Sequence, residues 1–437
     1  MTEFKNSASA GAEKLRELSR GLRGRLYCGS CSEEKIRIAG DAEKLSACFR
    51  RGERVINALP NSIEWWKVTL AALFAGATVA VLPGLMGENE IRRRNGEIGA
   101  EKIFSDAAQV RRSLSSAGPV FPDGLPCDGN IVLFTSGTQG VSKGVVIRID
   151  NYIPNLVATQ GRLHMAPEDT DVCLSPYSHA MGLMYCSCTF FFAGDMYICR
   201  NELEYVNLFC RGPANITAVQ PIYLERLCKD DDFVRAAAEK SFILVGGAPL
   251  TRKVYDAYIR AGARILNGYG MTECVAGVAI TDRFSGVFDG GMDKMDSAEI
   301  AVAPDGEVLV SGSTVCRNYL NGAPVCGHSG IYHTGDAGFI RNGRLYITGR
   351  KDNIVVLKNG YKISLESIED RVSALPEVSL CLAEGAPGGI KISVVSDAPE
   401  AVLEGCVQAV LEYYEKPFSL HKVDGIEVYN GKKVRKR

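Results

Sequence analysis

The chain has 437 residues, of which 46% are hydrophobic and 23% charged, so it can bury a large core and is long enough for two or more domains. A formal charge of -1 argues against a general binder of nucleic acids or membrane surfaces. The 15 cysteines are scattered without a framework spacing, which predicts buried, reduced thiols in a cytoplasmic protein. Residues 1–20 are polar and lack the apolar core of a signal peptide.

Two segments near the N-terminus resemble special sites but have ordinary interpretations. Cys28 and Cys31 in CGSC have the spacing of a metal or redox motif, yet no second pair and no strand–helix context accompany them. The apolar run VTLAALFAGATVAVLPGLM approaches the length of a membrane span. Gly76 and Pro83 interrupt this run, and AGATVAVLP is typical of a helix end, a turn and a buried strand. The sequence therefore predicts two ordinary cysteines and no membrane span.

Further along the chain, predicted strands alternate with predicted helices. Helix-like stretches include SIEWWKVTLAALFAG and FVRAAAEK. Short apolar runs that end in glycine or polar residues predict strands, and they are IVLFTSG, GVVIRI, VCLSP, FILVGGAP and RILNGYG. This alternation indicates an α/β protein with a large layered N-terminal domain of mostly parallel sheets, in which ligands bind beyond the carboxyl ends of the strands.

A domain boundary is predicted near GRKDNIVV. Upstream of it, GDAGFIRNGRLYITG predicts a hairpin that turns on Asn342 and Gly343. Downstream, the pattern predicts a helix around residues 365–374, strands near VSLCLAE and KISVVS, a helix around 401–415 and a strand at DGIEVYN. We expect a large domain over residues 1–349, a hinge at 350–352 and a small, mobile α+β domain over 353–437.

The segment LFTSGTQGVSKGVV has three glycines, several hydroxyl groups and one cation, Lys143, between two apolar flanks. Glycines let backbone N–H groups converge on an anion, and the lysine adds a point charge, so the loop suits a polyphosphate. It is not a Walker loop, because counting from Gly137 or from Gly140 puts a serine or a valine where the second glycine belongs. GYGMTE likewise departs from the dinucleotide-binding pattern at its sixth position.

TSGTQGVSKG resembles the phosphate loop of the adenylate-forming superfamily, which includes acyl-CoA synthetases, adenylation domains of peptide synthetases and firefly luciferase. The usual pattern is T-S-G-T-T-G-x-P-K-G, from which Gln139 and Ser142 depart. Further segments match in the family's order, and they are NALPNSIEWWKVTLAALFAGATVAVLP, SPYSHAMGL, VGGAPL, NGYGMTE, YHTGDAG, GRKDNIVVLKNGYKISLESIE and NGKKVR. The resemblance spans residue 50 to the end of the sequence.

The resemblance implies a reaction between a carboxylate and the α-phosphate of ATP. These are two anions, so cations and hydrogen-bond donors must neutralise the charge where they meet. Thr272 would contact the α-phosphate, and Glu273 would bind Mg²⁺, a hard cation that prefers oxygen ligands. The implied phosphate-loop residues are Thr135, Ser136, Gly137, Thr138 and Lys143.

For the nucleoside, the resemblance implies that Tyr269 stacks on adenine and that Asp336 accepts hydrogen bonds from both ribose hydroxyls, helped by Arg350. Taken alone, Asp336 would be a turn residue after a glycine, and its neighbours in the motif favour the ribose role. The other implied nucleotide-binding residues are Gly246, Gly247, Ala248, Pro249, Asn267, Gly268 and Gly270.

Lys432 matches the family's adenylation lysine by position, and it would bridge the carboxylate and the phosphate–ribose region. Lys433 stands where the family has isoleucine and could take this role instead, and a solvated basic tail is the other alternative. The resemblance assigns the hinge to Asp352 and the thiol-transfer segment to Gly360 and Tyr361.

The predicted acyl pocket contains His179, Met184 and Met271 by resemblance, although a lone histidine in an apolar segment is usually a core residue. Residues 177–183 contain no acidic side chain, whereas relatives that activate α-amino acids have an aspartate in this stretch. A plain carboxylic acid is therefore the predicted substrate.

Together these features predict an AMP-forming ligase that uses ATP and Mg²⁺ to make an acyl-adenylate and then transfers the acyl group to a thiol. Coenzyme A is the predicted thiol, which makes the protein an acyl- or aryl-CoA ligase. The sequence leaves open a phosphopantetheinyl carrier protein as acceptor, an amide-forming or adenylate-only enzyme, and a non-catalytic nucleotide sensor. No nucleic acid is expected among the partners.

Overall fold

The computed structural model describes residues 2–118, 125–135, 143–248, 252–284, 289–356, 362–386, 389–411, 418–429 and 432–433. Its α-helices are α1 (Thr2–Arg20), α2 (Lys35–Ser46), α3 (Ile63–Ala75), α4 (Glu88–Ile98), α5 (Ala107–Ser116), α6 (Ile149–Leu163), α7 (Ala180–Phe192), α8 (Glu202–Arg211), α9 (Pro221–Leu227), α10 (Asp231–Ala238), α11 (Arg252–Arg260), α12 (Leu365–Ser373) and α13 (Glu400–Val410). Short 3₁₀ helices lie at Thr272–Cys274 and Lys351–Asn353.

The strands up to the predicted boundary are β1 (Arg25–Cys28), β2 (Cys31–Glu34), β3 (Arg54–Asn57), β4 (Thr78–Val81), β5 (Lys102–Phe104), β6 (Asn130–Phe134), β7 (Gly144–Arg148), β8 (Asp171–Cys173), β9 (Met196–Ile198), β10 (Ile216–Val219), β11 (Phe242–Gly246), β12 (Ile265–Tyr269), β13 (Ala279–Ile280), β14 (Met292–Lys294), β15 (Glu299–Val302), β16 (Glu307–Ser311), β17 (Tyr332–Arg341) and β18 (Arg344–Arg350). After it come β19 (Ile354–Val356), β20 (Lys362–Ser364), β21 (Leu380–Ala386), β22 (Gly389–Val395), β23 (Phe418–Lys422), β24 (Val428–Tyr429) and β25 (Lys432–Lys433).

Two sheets form the body of the protein. One has the strand order β5-β3-β4-β6-β7 and is parallel except for the last pair. The other has the order β15-β16-β17-β18-β14-β13-β12-β11-β10-β8-β9-β1-β2, in which β12 to β1 form the parallel part and the strands from β13 to β18 are antiparallel. The predicted α/β class is confirmed, and the antiparallel extension adds to the predicted mostly parallel sheets.

The apolar run after residue 62 shows how the sequence specifies these layers. Ser62 caps α3 by accepting a hydrogen bond from the backbone of Trp65, and every residue of this helix is buried except Glu64. Gly76 ends the helix in the left-handed region (φ +70°), where glycine costs least, and the chain continues into β4. The predicted helix end, turn and buried strand are therefore confirmed. No helix among the described residues is long and apolar enough to cross a membrane.

One ionisable group in the main core, Asp171 at the start of β8, is completely buried and accepts a hydrogen bond from Tyr185 (3.0 Å). Burial raises the pKa of Asp171 to about 7, and the charge of buried Lys35 acts in the opposite direction. Lys35 donates to the backbone carbonyls of Thr189 and Ala193 (2.8 and 3.0 Å), and burial lowers its pKa to about 7. Burial therefore makes the charged form of each group costly in free energy.

The predicted hairpin is present, with Asn342 and Gly343 at positive φ (+53° and +77°) between β17 and β18. The predicted helix and strands that follow correspond to α12, β21 and β22, and their buried faces form a hydrophobic core of their own. Two predicted extents were wrong. Helix α13 ends at Val410, because Leu411 already has an extended backbone. Within the described part of DGIEVYN, residues 424–429, the strand is limited to β24. Strand β23, which pairs parallel with β22, was not predicted.

Candidate active site

The predicted phosphate loop connects β6 to β7. These strands pair antiparallel with Phe134 opposite Gly144, and the backbone N–H of Thr135 donates to the carbonyl of Lys143 (2.9 Å). A side chain on Gly144 would come within 3.1 Å of its neighbours, so the hairpin is closely packed at its base while Lys143 stays exposed. The predicted loop residues that lie outside the described ranges are Ser136, Gly137 and Thr138.

The glycines at the carboxyl ends of β11 and β12 lie side by side. Gly246 pairs with Gly268, and a Cβ atom on Gly246 would come 2.9 Å from the carbonyl oxygen of Gly268. Gly247 has a φ of +85°, which favours glycine, and Ala248 is half-buried beside it. Pro249 lies outside the described residues. The result is a surface of bare backbone beyond the strand ends, where parallel sheets bind their ligands.

Asn267, one residue before this pairing, ties β12 to the neighbouring antiparallel strands. Its backbone N–H donates to the hydroxyl of Thr281 (3.3 Å), and its Nδ2 donates to the carbonyl of Gly290 (3.4 Å). The amide side chain is therefore held against the backbone just before β14.

The turn after β12 is both tight and strained. A Cβ atom on Gly270 would lie 1.4 Å from the carbonyl oxygen of Ala276, so no other residue fits there without a backbone shift. After the 3₁₀ helix Thr272–Cys274, Val275 and Ala276 both have positive φ (+51° and +77°), which is unusual for residues other than glycine. Such a conformation persists only where its surroundings hold it, and it is common at functional sites.

Two buried polar side chains, which the sequence did not reveal, support this turn. Asn155 of α6 donates to the carbonyls of Cys274 (3.1 Å) and Gly277 (3.0 Å), and the hydroxyl of Thr314 donates to the carbonyl of Cys274 (2.6 Å). Both Asn155 and Thr314 are completely buried. They fix the backbone of the turn that contains the predicted α-phosphate and Mg²⁺ residues.

Tyr269, Asp336 and Arg350 form one hydrogen-bonded group. The hydroxyl of Tyr269 donates to Oδ2 of Asp336 (2.7 Å), and Nη1 of Arg350 donates to Oδ1 (2.9 Å). Asp336 and Arg350 are also direct partners in the pairing of β17 with β18, so the backbone sets their separation. The structure therefore brings together the three residues that were predicted to bind the nucleoside.

The environment of this group keeps its two hydrogen-bond donors, Tyr269 and Arg350, protonated. Burial and the charge of Asp336 raise the pKa of Tyr269 well above its ordinary value. Burial alone would lower the pKa of Arg350, but the charge and hydrogen bond of Asp336 raise it above its ordinary value. Both donors therefore keep their protons at any working pH.

Tyr319 connects two predicted site residues, Lys143 and Glu273. The Nζ atom of Lys143 lies 5.2 Å from the centre of the Tyr319 ring, and the Tyr319 hydroxyl donates to Oε1 of Glu273 (3.4 Å). Burial and the nearby Glu273 raise the pKa of Tyr319 to about 12, so its hydroxyl remains a donor. No pattern around Tyr319 in the sequence indicated this position, because the contact depends on pairing with the distant strand β7.

The predicted acyl-pocket residues have different surroundings. His179 is half-buried at the N-terminus of α7, and Met271 is half-buried against the core beside the strained turn. Met184 is only 3% exposed and packs within the main core. Met181 was not predicted, yet its sulfur would lie 3.4 Å from a Cβ atom on Gly246, so this side chain lies next to the bare backbone surface.

The residues predicted to form the hinge are bound to the large sheet. Lys351 contacts Asp305 (2.7 Å) and Glu307 (2.9 Å), and Arg350 lies 3.6 Å from Asp352. The predicted thiol-transfer residues Gly360 and Tyr361 lie outside the described residues. In β25, the backbones of Lys432 and Lys433 pair with β24, and their side chains are not described.

The carboxylates of the site suit a metal ion that arrives bound to a nucleotide better than a metal ion held by protein side chains alone. Among the described residues, no group of three or more His, Cys, Asp or Glu side chains could hold a metal ion. Mg²⁺ commonly takes one or two carboxylates and completes its shell with water and substrate phosphates. Glu273, close to Lys143 through Tyr319, fits that kind of site.

Comparisons with known proteins identify what the chain is similar to in sequence and in fold. Residues 120–320 match the family model described as AMP-binding enzyme. The D-alanine–D-alanyl carrier protein ligase of Streptococcus pyogenes serotype M5 is 26% identical over 290 residues, which cover 59% of this chain. The match spans 56% of that ligase, little more than half of its length.

Solved structures share the fold over nearly the whole chain. ATP-bound MatB from Rhodopseudomonas palustris superposes with a TM-score of 0.83 at 19% identity, covering 94% of this chain and 95% of MatB. The o-succinylbenzoate CoA synthetase MenE from Bacillus subtilis, in complex with the acyl-adenylate OSB-AMP, has a TM-score of 0.81 at 18% identity, covering 97% of this chain and 96% of MenE. The AMP-binding enzyme match therefore covers residues 120–320, and nearly the whole chain shares its fold with these solved structures.

Proposed function

We propose that this protein is an AMP-forming acid–thiol ligase. In the first step a carboxylate attacks the α-phosphate of ATP, which gives an acyl-adenylate and pyrophosphate. In the second step a thiol attacks the acyl carbon, which gives a thioester and AMP. The observation that carries the proposal is the group formed by Tyr269, Asp336 and Arg350 beside the strained turn.

Asp336 is suited to bind ribose. An ionised carboxylate has about four lone-pair positions, of which Tyr269 and Arg350 use two. The remaining positions can accept the two vicinal hydroxyls of a ribose. Arg350 keeps its charge, so it remains a hydrogen-bond donor that holds the carboxylate in place.

The phosphates would lie between the loop after β6 and the turn after β12. Lys143 would bind the β- and γ-phosphates with the loop residues, and Thr272 would contact the α-phosphate. Glu273 would hold Mg²⁺, which supplies charge neutralisation on the phosphates when bound. Asn155 and Thr314 would serve this step indirectly, by fixing the turn that carries Thr272 and Glu273.

Lys432 would complete the site for adenylation, with Lys433 as the alternative. We further propose that residues 1–349 and 353–437 are two domains that change their relative orientation about residues 350–352, so that the 360–361 segment replaces the lysine in the second step. The separate hydrophobic core after residue 364 supports this division, because a unit with its own core can move as one body.

Coenzyme A is the proposed thiol, supported by the CoA ligases among the proteins that share the fold. A carrier protein is the second candidate, because the relatives detected by sequence include D-alanine–D-alanyl carrier protein ligases. For the acid, residues 177–183 lack the acidic side chain that would meet an ammonium group, which supports a plain carboxylic acid over D-alanine.

The test is a pyrophosphate-release assay with a panel of aryl, short-chain and long-chain acids and D-alanine. Each acid is assayed alone, with coenzyme A and with a phosphopantetheinylated carrier protein. We expect release with at least one plain acid and thioester formation with coenzyme A. Thioester formation only on the carrier protein would support the carrier protein as the acceptor in place of coenzyme A. ATP binding without pyrophosphate release from any acid would contradict the ligase proposal.

A further inference from the structure

A short segment, residues 316–320, connects the two halves of the candidate active site, and we call it the bridging segment. At one end, the backbone N–H of Cys316 donates to the carbonyl of Glu273 (2.8 Å). At the other end, the backbone N–H of Leu320 donates to the carbonyl of Gly144 (2.7 Å). The bridging segment therefore sets the distance between the turn after β12 and the hairpin of β6 and β7.

Tyr319 is the member of the bridging segment whose side chain lies between the two halves. Its backbone is fixed by pairing with Val145 and by donation to the carbonyl of Ala323 (2.8 Å). Its ring lies under the ammonium group of Lys143 (5.2 Å), and its hydroxyl reaches Glu273 (3.4 Å). One aromatic side chain thus contacts a cation through its face and an anion through its hydroxyl.

This arrangement matches the needs of both charged groups. An ammonium group is attracted to the face of a tyrosine ring, and it keeps N–H donors directed away from the ring. A hydroxyl that donates to a carboxylate oxygen restrains the orientation of the carboxylate. Both contacts hold a flexible side chain in place before a ligand arrives, which reduces the entropy lost on binding.

We propose that Tyr319 is a positioning residue for magnesium–ATP: its ring holds Lys143 for the β- and γ-phosphates, and its hydroxyl orients Glu273 for the metal. This inference rests on the proposed function and adds a residue to it. AMP has neither of these phosphates, so its binding does not depend on Tyr319.

The first test is the Tyr319→Phe variant, which keeps the ring and removes only the hydroxyl. Calorimetric titrations of ATP at increasing Mg²⁺ concentrations give the Mg²⁺ midpoint for ATP binding. We expect this midpoint to rise about 10-fold, the lower end of the effect of losing a partner that orients a metal ligand. The matched control is Tyr27→Phe, because the Tyr27 hydroxyl also donates to a carboxylate at 3.4 Å, that of Asp195, outside the site. An unchanged midpoint in Tyr319→Phe overturns the inference.

The second test is the Tyr319→Leu variant, which also removes the ring under Lys143. ATP affinity at saturating Mg²⁺ should fall about threefold to tenfold below that of Tyr319→Phe, while AMP affinity stays equal to that of the wild type. Equal losses for ATP and AMP would mean that Tyr319 only supports the fold, and unchanged or tighter ATP binding would also overturn the inference. If the unaltered protein binds no ATP with Mg²⁺, the proposed function itself fails.

Discussion

Replacing Asp336 by alanine tests the proposed nucleotide site most directly. In the structure its two oxygens accept hydrogen bonds from Tyr269 (2.7 Å) and Arg350 (2.9 Å), which orient the carboxylate and use two of its about four lone-pair positions. A hydrogen bond to a charged group contributes about 1.5–3 kcal/mol. Losing both ribose bonds at the lower value costs about 3 kcal/mol, which corresponds to an affinity loss on the order of 100-fold.

The assay is calorimetric titration of the Asp336→Ala variant with ATP and, separately, with AMP. Both ligands contain the ribose, so both affinities should fall by the same factor, and the rate of pyrophosphate release at low ATP should fall with them. The control is Asp41→Ala, which removes another half-buried carboxylate with a cationic partner, Lys67 (2.7 Å), outside the site. ATP affinity within about threefold of the wild type would refute the ribose assignment.

Three further predictions address the other groups. Lys143→Ala should slow pyrophosphate release by about 10²–10³ without changing AMP affinity, because the variant loses a preorganised cation that faces the leaving phosphates. Equal losses of rate and of AMP affinity would contradict this placement. Lys432→Ala should abolish adenylate formation but still make thioester from supplied acyl-adenylate. Asp352→Pro should do the reverse, because proline restricts the hinge: it should retain adenylation and lose thioester formation. Single-turnover assays of each half-reaction on both variants measure these outcomes. The fold raises the pKa of Asp171 to about 7, whereas in the unfolded chain this carboxyl ionises at about pH 4. Between these values the unfolded state binds fewer protons than the folded state, so the free energy of unfolding falls as the pH rises. Asp171→Asn should therefore gain stability over the wild type between pH 4 and 7.5 in urea unfolding, and a pH-independent difference would show that Asp171 does not titrate in this range.

The sequence predicted the elements whose ends carry strong local preferences. Helix α3 has a serine cap and a glycine end, and the hairpin at Asn342 has a turn that only a few residue pairs favour. The antiparallel strands β13 to β16 have no comparable local signals at their ends. They are also short, and β15 is partly exposed. Their positions depend on pairing between distant parts of the chain, which local patterns do not encode.

The same distinction applies to the site. Residues such as Asp336 and Lys143 lie in segments with a recognisable order of glycines and polar residues. Asn155, Thr314 and Tyr319 lie in unremarkable segments, and they act through contacts with residues far away in the chain. Sequence patterns therefore indicated the residues proposed to meet the ligand, but not the residues that hold them.

The bridging segment also has a consequence for biosynthesis. Residues 318 and 320 form backbone hydrogen bonds with β7, the last strand in the order of the smaller sheet. While the ribosome makes the chain from its N-terminus, β7 is complete long before residue 320 is added. Until then this edge has unpaired backbone groups, which can pair with another nascent chain and start aggregation. We therefore expect truncations that end before residue 316 to aggregate, even though they contain every strand of the smaller sheet.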